Sequence, residues 1–250
     1  MKQIKHITEM KRSDLKRIKL VVFDVDGVLV KRGTKIKQKD GITTFETKKI
    51  AKSQIEQIKK LHAKGFHINI NSGRGLYMLQ QMFREVLEYV SLTYENGSAT
   101  WFKGRIVQHV NSAKFLKNVF PKLQQVKSKD IKGFEPKEFI ITIHCKNRVK
   151  KIERIVDQEK DLYYVWNSEA YDIGIKKKQV KSIGLRKLMK MLKLKKKNVL
   201  VIGDNYNDAD LLSVGGLAIT ADKSRVAGDF YIELKGKRLP ADILMAKLLE

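Results

Sequence analysis

Leu20-Val21-Val22-Phe23-Asp24-Val25-Asp26-Gly27-Val28-Leu29 is the stretch whose reading decides the fold. Four apolar residues, two of them β-branched, read as a buried strand. Asp24 and Asp26 then stand at its end, one residue apart, with Gly27 placed to turn the chain. Open α/β sheets bind their ligands at the carboxyl ends of their strands, so both acids stand where chemistry is expected. Carboxylates this close repel each other unless a cation or a shared proton relieves them. An Asx turn capping the strand accounts for one Asp and leaves the other unexplained.

The pattern recurs twice downstream. Val199-Leu200-Val201-Ile202 is a second short apolar run, followed at once by Gly203-Asp204-Asn205-Tyr206-Asn207-Asp208. Asp24, Asp26, Asp204 and Asp208, at the tips of two strands and without His or Cys among them, make a hard oxygen site suited to Mg²⁺. Phe66-His67-Ile68-Asn69-Ile70 reads as a third strand and ends in Asn71-Ser72-Gly73-Arg74-Gly75. That loop offers the Ser72 hydroxyl and glycine-freed backbone N–H groups, which cradle phosphates. A helix expected from Leu76 to Glu88 would add its N-terminal N–H groups to the same anion site.

Taken in order, Asp-x-Asp-Gly-Val-Leu, Ser-Gly-Arg, a Lys and Gly-Asp-x-x-Asn-Asp resemble the haloacid dehalogenase superfamily of phosphohydrolases, from Leu20 to beyond Ser213. The resemblance implies an α/β fold: a Rossmann-like parallel-sheet core with helices on both faces and a smaller inserted α+β cap domain. Among the crowded lysines it selects Lys181, because Lys181-Ser182-Ile183-Gly184-Leu185-Arg186-Lys187-Leu188 is similar to the family's Lys-Gly-x-Ala-Leu-x-x-Leu helix start, with Ser for Gly and Gly for Ala; Lys178 is second. It further implies Asp24 as nucleophile and Asp26 as general acid, then base. Mg²⁺ would be held by the Asp24 carboxylate, the Asp26 backbone carbonyl and Asp204, with Asp208 either a metal ligand through water or an anchor for the Lys. Ser72, Gly73, Lys181 and Asn207 would hold phosphate. Arg74 and His144 are the candidates for substrate contact.

The chain reads as core, insertion, core: residues 1–97 and 176–250 form the catalytic part and residues 98–175 the cap. Residues 1–19 are a basic lead-in, with a helix expected from Ser13 as its N-cap. Thr47 to Lys64 carries the helical pattern Ile50, Ile55, Ile58, Leu61 and stops at Gly65. Leu92-Thr93-Tyr94 is a further short strand, and Glu95-Asn96-Gly97 resembles the turn that leaves the core in capped relatives. The insertion is expected to open with a hairpin over Thr100–Val107. It continues with a helix from Ser112 to Val126, a strand Phe139–Ile143, a helix Arg148–Glu159 and a strand Leu162–Trp166.

Composition sets the limits. A length of 250 residues suits one α/β core plus a smaller domain. The one cysteine, Cys145, excludes an intrachain disulfide and reads as a packed thiol. No apolar run is long enough to span a bilayer, so a soluble cytoplasmic protein is expected. The net charge of +25 is uneven. Residues 176–200 hold eleven Lys or Arg and no acid, whereas 201–250 hold six basic and eight acidic residues. Apolar residues recur at helical spacing through 187–197, so most of these lysines form a solvated helix face, and no specific nucleic-acid partner is expected. The five histidines show no paired metal spacing. The reading is a Mg²⁺-dependent phosphatase acting on a small phosphorylated metabolite through an aspartyl-phosphate. Phosphoglycolate comes first and a sugar phosphate second. A phosphomutase of the same superfamily is the alternative enzyme, and a basic nucleic-acid-binding protein on a phosphatase scaffold is the alternative of another class.

Overall fold

The computed structural model describes residues 4–33, 35–39, 42–233 and 237–250. Residues 1–3 of the basic lead-in lie outside the described residues.

Alternation along the central strand explains the layers. In Leu20–Phe23, Leu20 and Val22 face one way and pack with Leu185, Leu188, Val199, Val201 and Leu211. Val21 and Phe23 face the other way and join a larger core with Ile55, Ile58, Leu61 and Leu79. All four residues are buried, as expected of a parallel strand covered on both faces. The helices Lys181–Met191 and Ala209–Val214 cover the first face. Lys52–Ala63 and Pro240–Leu249 pair on the other.

Among the described residues the main sheet has nine strands, in the order Lys5–His6, Phe230–Tyr231, Leu217–Thr220, Val199–Gly203, Leu20–Phe23, His67–Asn71, Val90–Tyr94, Ala99–Phe102, Arg105–Gln108. The first seven run parallel and the last two antiparallel. Register brings the site together: Phe23 lies level with Ile202 on one side and Ile70 on the other. The residues that follow these three strands therefore emerge at one height, which places Asp24, Asp204 and Ser72 around one point.

A second sheet of four antiparallel strands, ordered Leu162–Trp166, Ala170–Ile175, Ile141–Cys145, Ile131–Glu135, stands over that edge. Its own core includes Leu116, Val119, Ile143, Ile152 and Tyr171. Cys145 is fully buried there. A two-stranded ribbon, Ile36–Lys39 with Ile42–Phe45, leans against the Ile131–Glu135 strand.

Several elements differ from expectation. The hairpin placed in the insertion pairs with Val90–Tyr94 and extends the core sheet. The single helix expected over Ser112–Val126 is two short ones, Ala113–Leu116 and Val119–Gln124. The first helix spans Arg12–Leu15, so Ser13 lies inside it rather than capping it. The strand expected at Phe139–Ile143 starts at Ile141, because Phe139 packs into the main core instead. The ribbon and the strands Ile131–Glu135 and Leu217–Thr220 have too few β-branched residues, or too little alternation, to stand out in the sequence.

Candidate active site

Asp24 closes its strand with its side chain buried, and its Oδ1 accepts a 2.6 Å hydrogen bond from Lys181 Nζ. The same ammonium donates to Asp208 Oδ1 at 2.6 Å. Asp208 is fully buried, and its other oxygen accepts from the N–H groups of Asp204 (3.1 Å) and Asn205 (3.2 Å). Asp208 therefore anchors the lysine and shapes the loop that carries Asp204. Gly27 is required at its position. Its φ is +89°, and a Cβ there would lie 1.7 Å from Asp204 Oδ2.

Carboxylate oxygens of Asp24, Asp204 and Asp208 lie within 4.8 Å of one another. Charge is strained in this cluster. Burial pushes the Asp24 carboxyl well above the ordinary range, with Asp208 adding and Lys181 opposing. Burial also pushes Asp204 up to about 6, against the pull of Arg32, whose Nη2 lies 2.6 Å from Asp204 Oδ2. Burial disfavours the Lys181 ammonium, but Asp208 and Asp24 outweigh it and raise its pKa. Asp204 Oδ1 is buried without a hydrogen-bond partner. An orphaned oxygen within an all-oxygen donor set fits a hard divalent cation. The Asp26 side chain is elsewhere: Arg74 grips it bidentately, Nε and Nη2 each at 2.8 Å.

Ser72 is buried at the cavity wall, its Oγ accepting the Arg74 N–H at 3.2 Å. Gly73, Arg74 and Asn207 line the same cavity, which encloses about 120 Å³. His144 lines it too, with Nε2 2.9 Å from Glu135 Oε2. Every residue singled out from the sequence thus lies at this one cleft except Asp208, which is buried behind Lys181, and the second-ranked Lys178. The latter lies over the Phe115 ring instead.

The far wall of the cavity was not found by sequence reasoning. Glu135, Thr142 and Asp172 form a cross-strand row, Thr142 standing opposite each of the other two. Thr142 Oγ donates to Asp172 Oδ1 at 2.5 Å. Lys137 reaches between them, 3.4 Å from Glu135 and 3.7 Å from Asp172, and donates to the Gly73 carbonyl at 2.8 Å. Burial opposes the Lys137 charge, but Glu135 and Asp172 outweigh it and raise its pKa. The signal available was the alternation Ile141-Thr142-Ile143-His144-Cys145, which puts Thr142 and His144 on one polar face.

A parallel sheet with a carboxylate cluster and a buried lysine at its strand ends, covered by a second small sheet, defines an α/β hydrolase of the capped type. The chain belongs to the haloacid dehalogenase-like hydrolase family, whose model matches residues 18–216. No curated protein matches it. Among solved structures it is similar to a phosphatase of the haloalkanoate (HAD) enzyme superfamily from Bacteroides thetaiotaomicron (TM-score 0.64, 17% identity, covering 89% of this chain and 91% of that one). It is also similar to the HAD subclass IIB sugar phosphatase BT4131 (0.61, 18%, 92% and 96%). A trehalose-6-phosphate phosphatase related protein aligns comparably (0.64, 17%, 92% and 95%). At these identities the likeness is one of fold. Among the described residues no helix is long and apolar enough to cross a membrane.

Proposed function

We propose that this hydrolase is a Mg²⁺-dependent phosphatase that cleaves a small phosphomonoester through an aspartyl-phosphate on Asp24. The observation that carries the reading is Lys181, buried and shared at 2.6 Å between Asp24 and Asp208. A buried ammonium so placed neutralises the nucleophile and meets the transferring oxygens, where phosphoryl transfer needs charge stabilisation. Asp24 attacks phosphorus as the P–O bond to the leaving group breaks, and Asp26 supplies the proton that the leaving alkoxide takes. Asp26 then removes a proton from the water that attacks phosphorus and frees the Asp24 carboxylate. Asp26 meets a leaving oxygen only by sharing or giving up Arg74, so Arg74 is assigned to the substrate phosphate during turnover. Asp24, Asp204 and Asp208, with the Asp26 carbonyl, would hold Mg²⁺. When bound, the ion supplies positive charge against the phosphate oxygens. Ser72, Gly73 and Asn207 complete the phosphate grip.

The domain division, core 1–97 and 176–250 with cap 98–175, is retained in this proposal with residues 99–108 added to the core sheet. The cap wall favours a hydroxylated leaving group over an anionic one. A glycolate carboxylate would face Glu135, Glu169 and Asp172, with Lys137 already shared by two of them. Sugar hydroxyls donate to such carboxylates, so a sugar phosphate takes precedence over phosphoglycolate. The names of the sugar phosphatase and the trehalose-6-phosphate phosphatase related protein support this order. Phosphate release from a panel containing phosphoglycolate and hexose phosphates, with Mg²⁺ and with excess chelator, tests it. Release that persists in chelator removes the metal assignment, and preference for phosphoglycolate reverses the substrate order.

A further inference from the structure

Glu95 is a buried carboxylate that the proposed chemistry does not use. It opens the Glu95-Asn96-Gly97 turn, three successive residues with positive φ (47°, 54° and 80°). A conformation this unfavourable for Glu and Asn persists only when surrounding contacts hold it. Those contacts reach two places. On the backbone side, Glu95 N–H donates to the Arg74 carbonyl and Asn96 N–H to the Ser72 carbonyl, each at 3.2 Å, so the turn is stitched to the phosphate loop. On the side-chain side, the carboxylate accepts three successive cap N–H groups: Glu138 at 3.1 Å, Phe139 at 2.6 Å and Ile140 at 3.1 Å. These immediately follow Lys137, whose ammonium returns to the Gly73 carbonyl.

The segment is held from a second side. Gln179, fully buried where the chain re-enters the core, donates to the Phe139 carbonyl at 2.6 Å and to Ser98 Oγ at 2.9 Å. The Phe139 ring packs 6.0 Å from that of Tyr94, in the strand that leads into the turn. Residues 137–140 belong to the insertion by sequence and to the core by contact.

We propose that Glu95 is a positioning residue: its carboxylate fastens the cap segment 138–140 to the phosphate loop and thereby fixes Lys137 against the substrate's leaving group. The inference rests on the phosphatase reading only for the role of Lys137; the fastening itself does not depend on it. No neutral side chain replaces this arrangement well. Glu95→Gln keeps the shape but turns an amide donor toward N–H donors, leaving at least one of them unpaired in a buried site.

The test reads Lys137 directly, by acylating surface lysines with an N-hydroxysuccinimide ester and quantifying each lysine by mass spectrometry. In the unaltered protein Lys137, whose side chain is buried, should be labelled far more slowly than exposed lysines such as Lys195. Glu95→Gln should speed Lys137 labelling roughly tenfold or more, the scale of a lost hydrogen bond to a charged group. Amide hydrogen exchange at 138–140 should accelerate similarly, with that of Leu20–Phe23 unchanged. Glu138→Ala keeps its backbone N–H and should alter neither. Glu95→Asp, one methylene shorter with its charge retained, should fall between, and it serves if the Gln variant does not fold.

Kinetics separate positioning from general support. With the best sugar phosphate of the panel, Glu95→Gln should lose roughly tenfold in kcat/KM, mostly in KM, and add little to the loss in Lys137→Ala. With acetyl phosphate, too short to reach the cap wall, it should lose less than about threefold. Unchanged Lys137 labelling in both Glu95 variants, or equal losses on both substrates, overturns the proposal. A protein that releases phosphate from nothing overturns the phosphatase reading, while labelling and exchange still decide the fastening.

Discussion

At the scale of single residues, Lys181 and Cys145 contrast a buried group that the proposed chemistry uses with one that burial makes inert. Lys181→Ala leaves Asp24 and Asp208 facing each other in a dry site without their shared cation. Turnover should fall by roughly two to three orders of magnitude, as for loss of one transition-state donor. Lys178→Ala, over an aromatic ring away from the cleft, should stay within about twofold. The reverse ranking in phosphate-release kinetics would show that the wrong lysine carries the charge. Asp24→Asn should be lower still, since an amide cannot form the acyl phosphate; no phosphoenzyme should appear in quench experiments. Cys145 is the contrasting case. Burial pushes its thiol up to about 11, so almost no thiolate exists at pH 8. Thiol-exchange dye should react with it only as fast as the protein unfolds, and rapid labelling of the native protein would contradict the packing.

At the scale of elements, the helix that begins at Lys181 is aimed by contact at Gly184. A Cβ there would lie 2.5 Å from Thr93 Cγ2 and 2.7 Å from Gly97 Cα, so helix and turn touch through two glycines. Gly184→Ala gains helix propensity of about 1 kcal/mol in isolation but must push the helix off the turn, at about 1–3 kcal/mol. Chemical denaturation should show a net loss of stability, and turnover should drop with it because Lys181 rides on that helix. A gain in stability would mean the turn yields freely. This contact also explains why the sequence was harder to read here. Gly184 stands where the resemblance leads one to expect Ala, and the close approach of the turn that favours glycine there is a fact of tertiary packing that no local pattern carries. The strand ends were legible for the opposite reason: an apolar run followed by acids records burial and ligand position in adjacent residues. Glu135 and Asp172 were illegible because they meet across Thr142 only through cross-strand register, and Lys137 because it reaches them from the loop after the Ile131–Glu135 strand. Phe139 misled because an apolar residue beside a strand does not say which core it enters.

At the scale of the whole molecule, the buried carboxylate–lysine cluster is a standing cost to the fold. Three carboxylates and one lysine share a buried space, and Asp204 responds with a carboxyl pushed up to about 6. An unfolded Asp titrates near 3.9, so between about pH 4 and pH 6 the folded metal-free protein keeps a proton that the unfolded chain has released. The contribution of Asp204 to stability therefore falls as pH rises through that window and levels above it, opposite in sign to carboxylates held low, such as Glu135. Mg²⁺ acts oppositely, because it needs the carboxylates ionised and competes with the proton. At a hundred times its dissociation constant a ligand stabilises by about 2.7 kcal/mol, worth roughly 5–10 °C for a chain of this size. Thermal melts should show a Mg²⁺ increment of that order at pH 7.5 and a much smaller one at pH 5. Asp204→Asn should abolish the increment while raising the metal-free melting temperature at pH 7.5, since it removes a buried charge beside Asp24 and Asp208. An increment equal at both pH values, or one that survives Asp204→Asn, would place the ion outside this cluster.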